Sequence, residues 1–437
     1  MTEALRARVV RTFRSFHVRN YRLYAIGQIV SLVGTWMQSV AQVWLVVKLT
    51  DASPLALGWV SAFQFAPVLL LGPWGGLIAD RRDKRTILIG TQAAQAVLAL
   101  ALGVLDATGA VRLWMVDVLA LGLGLVTVLD NPTRQSFVTE MVGPEDTLNA
   151  VSLNSATFTS ARIVGPAVAA LVIKLGGLDI AFFANAASFL AVIVALMMMR
   201  PNELFRRAPA ARRAGQIREG FRYVWSSPVL RRTLLLVTVI FTLTFNFSVL
   251  MPVIAKSVFH GGAGTYALLL SVFGAGSLVG ALVMAGHARP TERLIAGAGL
   301  AFGALVALAG VAPSIVTEVL VWVAVGLASM ALMASTNSLL QLSSADTMRG
   351  RVMALYAVVF LGSTPIGSPL TGWAAERIGP RATLLLAGAV AVLASAVALW
   401  VARRRHAVEP PVREGRAGAV AAGAIEVPEA AETVLGA

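Results

Sequence analysis

The sequence predicts an all-α membrane protein of about twelve transmembrane helices in two pseudo-symmetric six-helix bundles, and three observations predict it. The 437 residues are 57% hydrophobic and only 13% charged, where soluble domains carry about 25% charged residues. Apolar runs of roughly 20 residues recur from Tyr24 to Val401, each matching a hydrocarbon core of ~30 Å at 1.5 Å per helical residue. The runs are continuously apolar and rich in Leu, Ala, Val and Gly, which disfavours a barrel of alternating strands.

Breaks at Gly, Pro and charged residues place the first six spans near 23–48, 54–79, 86–106, 112–138, 149–173 and 179–199, and six more near 232–256, 265–286, 292–312, 315–341, 351–374 and 382–402. The chain therefore divides into a basic N-terminal tail (1–22), a six-helix bundle (23–199), a central loop (200–231), a second bundle (232–402) and a tail (403–437) too rich in Ala, Glu, Pro and Gly to bury a core. In the central loop Ile217, Phe221, Val224 and Trp225 recur at helical spacing, with Arg218 and Arg222 on other faces. That pattern predicts a short amphipathic helix lying on the membrane surface. The halves also repeat: an offset of 202 sets Val164-Gly165-Pro166 beside Ile366-Gly367-Ser368 and Gln135-Ser136 beside Asn337-Ser338.

The formal net charge of +14 invites a nucleic-acid partner, but the cations cluster in alternate loops and in the tails. One side collects the N-terminal arginines, Arg81, Arg82, Lys84 and Arg85, the central loop with Arg206, Arg207, Arg212 and Arg213, then Arg289, Arg349, Arg351 and Arg403 to Arg405. Positive-inside orientation accounts for them, puts both termini in the cytoplasm and makes the bilayer, not nucleic acid, the partner. The first span lacks a convincing cleavage site and is expected to stay as a helix. There is no cysteine, so thiolate chemistry and Cys metal sites are excluded. His17, His260, His287 and His406 lie far apart. No H-E-x-x-H, phosphate loop or nucleophile elbow occurs, so no metal, cofactor, enzyme activity or ATP-driven pump is expected.

Ionisable residues deep in a span are costly and read as functional. Counting from the cytoplasmic ends puts Asp130 about 13 Å deep and Arg162 about 20 Å deep on consecutive spans. A carboxylate beside an arginine is held ionised until a proton releases it. Proton coupling through Asp130, with Arg134 or Arg162 as counter-charge, is the mechanism this pattern implies, and a static brace is its alternative.

The segment Gly76-x-x-x-Asp80-Arg81-x-Asp83-Lys84-Arg85 resembles motif A of the major facilitator superfamily, with Asp83 where the family usually has Gly. Asp130-Asn-Pro-Thr-Arg134-Gln closes span four, and Arg162-Ile-Val-Gly165-Pro166 in span five is similar to the antiporter motif C, with Ala169-Ala170 where Gly is common. Both point to the drug-efflux-like branch that includes enterobactin exporters, and the likeness runs from Phe13 to Val401. It implies a latch in which Asp80 meets the N-terminal end of span eleven and Lys84 ties its turn to span four, with Glu140 as partner. It also implies a bend at Gly165-Pro166, against which a plain packing kink stands as the other reading.

Family architecture lines the cavity with spans one, four, seven and ten. Gln28, Trp36, Gln38 and Gln42, then Phe241, Phe245 and Asn246, then Met333 and Asn337, are the candidates there. Aromatic and thioether surfaces with a few amides suit an amphipathic organic molecule. The sequence thus reads as a secondary active exporter of drugs or siderophores against inward proton flow, a monomer in a bacterial-type plasma membrane. A facilitator-fold importer or uniporter is the first alternative. A non-transporting sensor or scaffold, which would have no need of Asp80 and Asp130, is another, and an intramembrane enzyme comes last.

Overall fold

In the computed structural model, residues 12–205, 216–286 and 290–406 are described. The expectations for Arg6, Arg8 and Arg11, for Arg206, Arg207, Arg212 and Arg213, for Arg289, for the side chain of Ile217 and for the tail 407–437 lie outside the described residues.

After a 3-10 turn, Arg14–His17, the helices run α1 Arg19–Leu49, α2 Pro54–Arg81, α3 Lys84–Ala107, α4 Leu113–Met141, α5 Thr147–Gly176, α6 Leu178–Met197 and the short α7 Gln216–Ser226. They continue as α8 Pro228–Leu243, α9 Phe247–Val253, α10 Ala263–Ala285, α11 Glu292–Gly310, α12 Ile315–Leu342, α13 Asp346–Ile378 and α14 Pro380–His406. Among the described residues, twelve stretches are long and apolar enough to cross a membrane. The seventh is not one helix: α8 ends at Leu243, α9 begins at Phe247, and a π turn, Ile254–Val258, follows Pro252. Proline removes a backbone donor there, and such irregularity is tolerated in a span only where protein buries it. Thr244 and Asn246 at the break are both buried.

Local chemistry sets the ends. Ser53, Asp83, Thr291 and Ser314 accept hydrogen bonds from backbone N–H groups in the first turns of α2, α3, α11 and α12. Pro54, Pro228 and Pro380 start helices where no donor is needed. Leu70, Leu282 and Leu393 are each about two-thirds exposed, at 65%, 68% and 67%. Without a bilayer such surface would be an aggregation hazard.

The two halves share packing as well as helix count. Gly124 of α4 lies against the Gln64 carbonyl of α2, and Gly326 of α12, 202 positions on, lies against the Phe273 carbonyl of α10. Gly177 and Gly379, again 202 apart, join α5 to α6 and α13 to α14 with φ of +100° and +84°, a region that favours glycine. The sequence repeat is therefore a repeat of helix crossings.

The ends carrying Arg81 to Arg85, Arg349, Arg351 and Arg403 form one face, called here the basic face. Across the halves, α2 packs on α13 and α5 on α10. Toward the opposite face these contacts are intimate: Gly58 meets Ser368 and Pro369, Gly372 meets Pro54 and Leu55, and Glu376 accepts hydrogen bonds from Ser53 Oγ and Leu55 N. Toward the basic face α4 and α5 form no packed interface with α12 among the described residues, and Ser152, Ser155, Phe158 and Ser160 of α5 are exposed. A cleft between the halves therefore opens to the basic face.

Helix α7 packs on α8 and α13 at that face. Its apolar residues share one face: Val224 is buried against the protein, while Phe221 and Trp225 stack with ring centroids 5.1 Å apart and stay about half exposed. Glu219 pairs with Arg351 of α13 at 2.7 Å, and Gly220 sits against the same residue.

Candidate functional site

The α2–α3 turn is built from charges that answer one another. Asp83 accepts hydrogen bonds from Thr86 N at 2.8 Å and Thr86 Oγ1 at 2.9 Å, capping α3. That gives the aspartate at this position of the turn a physical use, because a carboxylate stabilises a helix N-terminus. Lys84 and Arg85 then fall in the first turn of α3, where a cation is disfavoured. Each is compensated from outside: Lys84 pairs with Glu140 of α4, and Arg85 donates to the Leu196 and Met197 carbonyls at the end of α6. Asp80 and Gly76 are partly buried in the last turns of α2, and Arg81 is exposed. Because Lys84 and Glu140 are both largely buried, Glu140→Gln is expected to cost about 3 kcal/mol of stability by stranding the ammonium. Thermal unfolding of the purified protein measures this, and Lys84→Met with Glu140→Leu should recover most of the loss.

Deeper in the same half lies a closed polar network. Asp130 of α4 is 3% exposed. Its Oδ1 accepts from Thr91 Oγ1 at 2.7 Å and Gln92 Nε2 at 2.9 Å, both from α3. Its Oδ2 accepts from Arg134 Nε at 3.0 Å and Nη2 at 2.5 Å, and Arg134 Nη1 donates to Gln28 Oε1 of α1. One carboxylate thus ties three spans together. The buried Tyr24 hydroxyl and Gln92 Oε1 have no hydrogen-bond partner among the described residues, so the network keeps spare polar capacity at its edge.

Arg162 is not the counter-charge of Asp130. Depth along two helices says nothing of azimuth, whereas Arg134 stands four residues from Asp130 and shares its face by helical geometry. The Arg162 guanidinium lies instead between two rings, 5.8 Å from the Trp36 centroid of α1 and 5.1 Å from the Phe273 centroid of α10. It therefore sits where the two halves meet: Ser271 of α10 donates to the Ile163 carbonyl at 3.2 Å. Gly165 allows this approach on the other side, since a Cβ there would stand 2.3 Å from that of Trp36. Pro166 continues inside α5.

Several expected cavity residues are buried or engaged by neighbouring helices. Gln38 is buried and accepts from Asn185 Nδ2 of α6 at 2.6 Å. Asn246 is buried at the break in span seven, donating to the Thr242 carbonyl and accepting from Ser368 Oγ. Gln42 and Phe241 are buried, and Gln28 is engaged by Arg134. Trp36, Phe245, Met333 and Asn337 keep partial exposure. Phe245 joins Phe247, Phe273, Phe302 and Phe360 in an aromatic cluster. Trp322 packs on Phe247 and Phe273 and donates from its indole N–H to Glu318 Oε1 at 2.8 Å. Phe273, Trp322 and the 1% exposed Glu318 were not among the expected residues. A lone acid at the start of an apolar run was the available signal for Glu318.

Solved structures share the fold. A bacterial homologue of the human lysosomal transporter Spinster, in an inward-facing and unoccupied conformation, superposes with a TM-score of 0.72 at 15% identity over 88% of this chain and 97% of that one. The nucleoside transporter NupG does so with a TM-score of 0.69 at 11% identity over 87% and 99%. Among curated relatives, the staphyloferrin A transporter of Staphylococcus aureus is 24% identical over 85% of this chain and 94% of its own. Macrolide efflux protein A of Streptococcus pyogenes is 24% identical over 87% and 95%, and the enterobactin exporter of Citrobacter koseri is 22% identical over 90% and 95%. The family model described as transmembrane secretion effector matches residues 10–411. This chain, a multi-pass membrane transporter and not an enzyme, therefore belongs to the transmembrane secretion effector family of the major facilitator superfamily.

Proposed function

We propose that the protein is a proton-coupled exporter of amphipathic small molecules, working as a monomer in a bacterial plasma membrane by rocking its two halves about a midplane site. The observation that carries the reading is the buried Asp130–Arg134 pair, which binds α1, α3 and α4 through one titratable carboxylate. Protonation of Asp130 removes half of a pair whose remaining partner then lies uncompensated, and the arrangement of the three helices changes to relieve it. Positive-inside orientation makes the basic face cytoplasmic, so the cleft receives substrate from inside the cell. Asp80 at the end of α2 then serves as the latch that meets the N-terminal end of α13 when that side closes. Relatives named for siderophore transport and export and for macrolide efflux support export of a bulky organic molecule.

The test is reconstitution in liposomes with an imposed proton gradient and a panel of siderophores and macrolides. Export predicts gradient-dependent movement that a protonophore stops. Movement indifferent to the gradient would make the protein a facilitator, and a protein that moves none of the panel would favour a sensor.

A further inference from the structure

We propose that Arg162 is the recognition point for a negatively charged group on the substrate, so that this exporter takes amphipathic organic anions rather than cations. The inference rests on the transporter reading above and names the substrate class of the same cleft.

Arg162 is a full charge deep in a span, and the other cations buried in this half are each answered by a carboxylate. Arg134 has Asp130, and Lys84 has Glu140. Arg162 has no carboxylate partner and donates no hydrogen bond among the described residues, and its Nε is buried without an acceptor. A guanidinium left in this condition is expensive, because its Nε–H has lost water and gained no acceptor while the rest of the fork has no hydrogen-bonded protein partner among the described residues. The rings of Trp36 and Phe273 offset part of the cost through their negative faces, but a ring satisfies no N–H in the plane of the fork. An incoming carboxylate, sulfonate or catecholate does so with two parallel hydrogen bonds.

The surroundings describe the rest of the ligand. Trp36 packs edge-on against Phe158, 6.0 Å away. Phe158 lies one turn nearer the basic face and is half exposed, so an aromatic wall leads from the cleft mouth to the charge. Phe273 belongs to the opposite half, and the anion would therefore bind where α5 and α10 meet. A ligand there touches both halves at once and can favour one arrangement of them over the other.

A matched pair of probes tests the sign. 1-Pyrenebutyrate and 1-pyrenebutylammonium share one aromatic body and differ in charge. Their binding to the full chain in lipid nanodiscs, with empty-nanodisc binding subtracted, reads charge preference without any gradient. The wild type is expected to prefer the anion, Arg162→Gln to lose about 10- to 100-fold in anion affinity with the cation unchanged or tighter, and Arg162→Lys to recover part of the preference. A brace between the halves would instead lower both probes alike in Arg162→Gln, and that result overturns the proposal. So does a wild type that binds neither probe or prefers the cation. Failure of proton coupling leaves this assay untouched. Conversely, gradient-driven export by a wild type that binds the two probes equally would keep the exporter and remove the anion site.

Discussion

Asp130→Asn is expected to abolish the response of transport to a proton gradient while leaving the cleft able to bind substrate. The amide keeps an acceptor for Thr91 or Gln92, but it carries no charge and takes up no proton in the working range. Gradient-driven flux in proteoliposomes should fall at least about tenfold, the scale of one lost charge-assisted interaction. The same change strands the Arg134 guanidinium in a buried site, at a cost of about 3 kcal/mol or more, so loss of flux alone would not separate coupling from folding. The double variant Asp130→Asn with Arg134→Gln separates them. It removes the stranded charge, and its thermal midpoint should return toward that of the wild type while gradient response stays absent. If instead the single variant still accelerates when a gradient is imposed, Asp130 is a brace and the proton travels elsewhere.

Gly124→Val and Gly326→Val should do comparable damage at equivalent places in the two halves. A Cβ on Gly124 would stand 2.3 Å from the Gln64 carbonyl oxygen, and one on Gly326 would stand 2.1 Å from that of Phe273. Both neighbours are helix backbone, which cannot swing aside as a long side chain can. The α2–α4 and α10–α12 crossings must part by roughly an ångström, and overpacking of that kind costs about 3 kcal/mol or more. Helix association in a bilayer depends on such close approach, since apolar burial gives little drive between helices there. Thermal unfolding should show a similar drop for each, with transport lost. Gly297→Ala is the control: a Cβ on Gly297 meets nothing within 4 Å, and its effect should stay within about 0.5 kcal/mol. Unequal losses at Gly124 and Gly326 would show that the halves do not share the crossing energetically.

Most of the fold was legible in the sequence because a bilayer enforces it. Apolar length fixed eleven spans to within a few residues at most ends, with α13 the longest departure, Asp346–Ile378 against 351–374. The break in span seven was not legible, since Thr244 and Asn246 differ little from other polar residues in apolar runs and the structure compensates them through Ala387, Thr242 and Ser368. The 202-residue offset was visible as short matches, and the structure shows its physical basis in paired glycines at paired crossings. At the candidate site, sequence resolved depth but not direction. Arg134 could be placed beside Asp130 because both lie on one helix four residues apart. Arg162 could not be placed, because its neighbours, Trp36 and Phe273, come from α1 and α10. Gln38 was expected in the cavity because its span lines it, yet one helix has several faces, and Asn185 on α6 takes that one. Phe273 and Trp322 escaped notice because aromatic residues in an apolar run carry no pattern of their own.

The two halves repeat their crossings but not their chemistry. Counting 202 onward from Gln28, Asp130 and Arg134 reaches Leu230, Leu332 and Thr336, all buried and none able to ionise. The aromatic cluster, in turn, belongs to the second half. A duplicated scaffold has thus kept the buried ion pair in one copy and the dense aromatic cluster in the other. Such a division makes the halves separable units of inheritance. On the function proposed above, a chimera joining this first half to the second half of a relative should keep its gradient response and its anion preference, while the aromatic surface offered to the cargo becomes the foreign one.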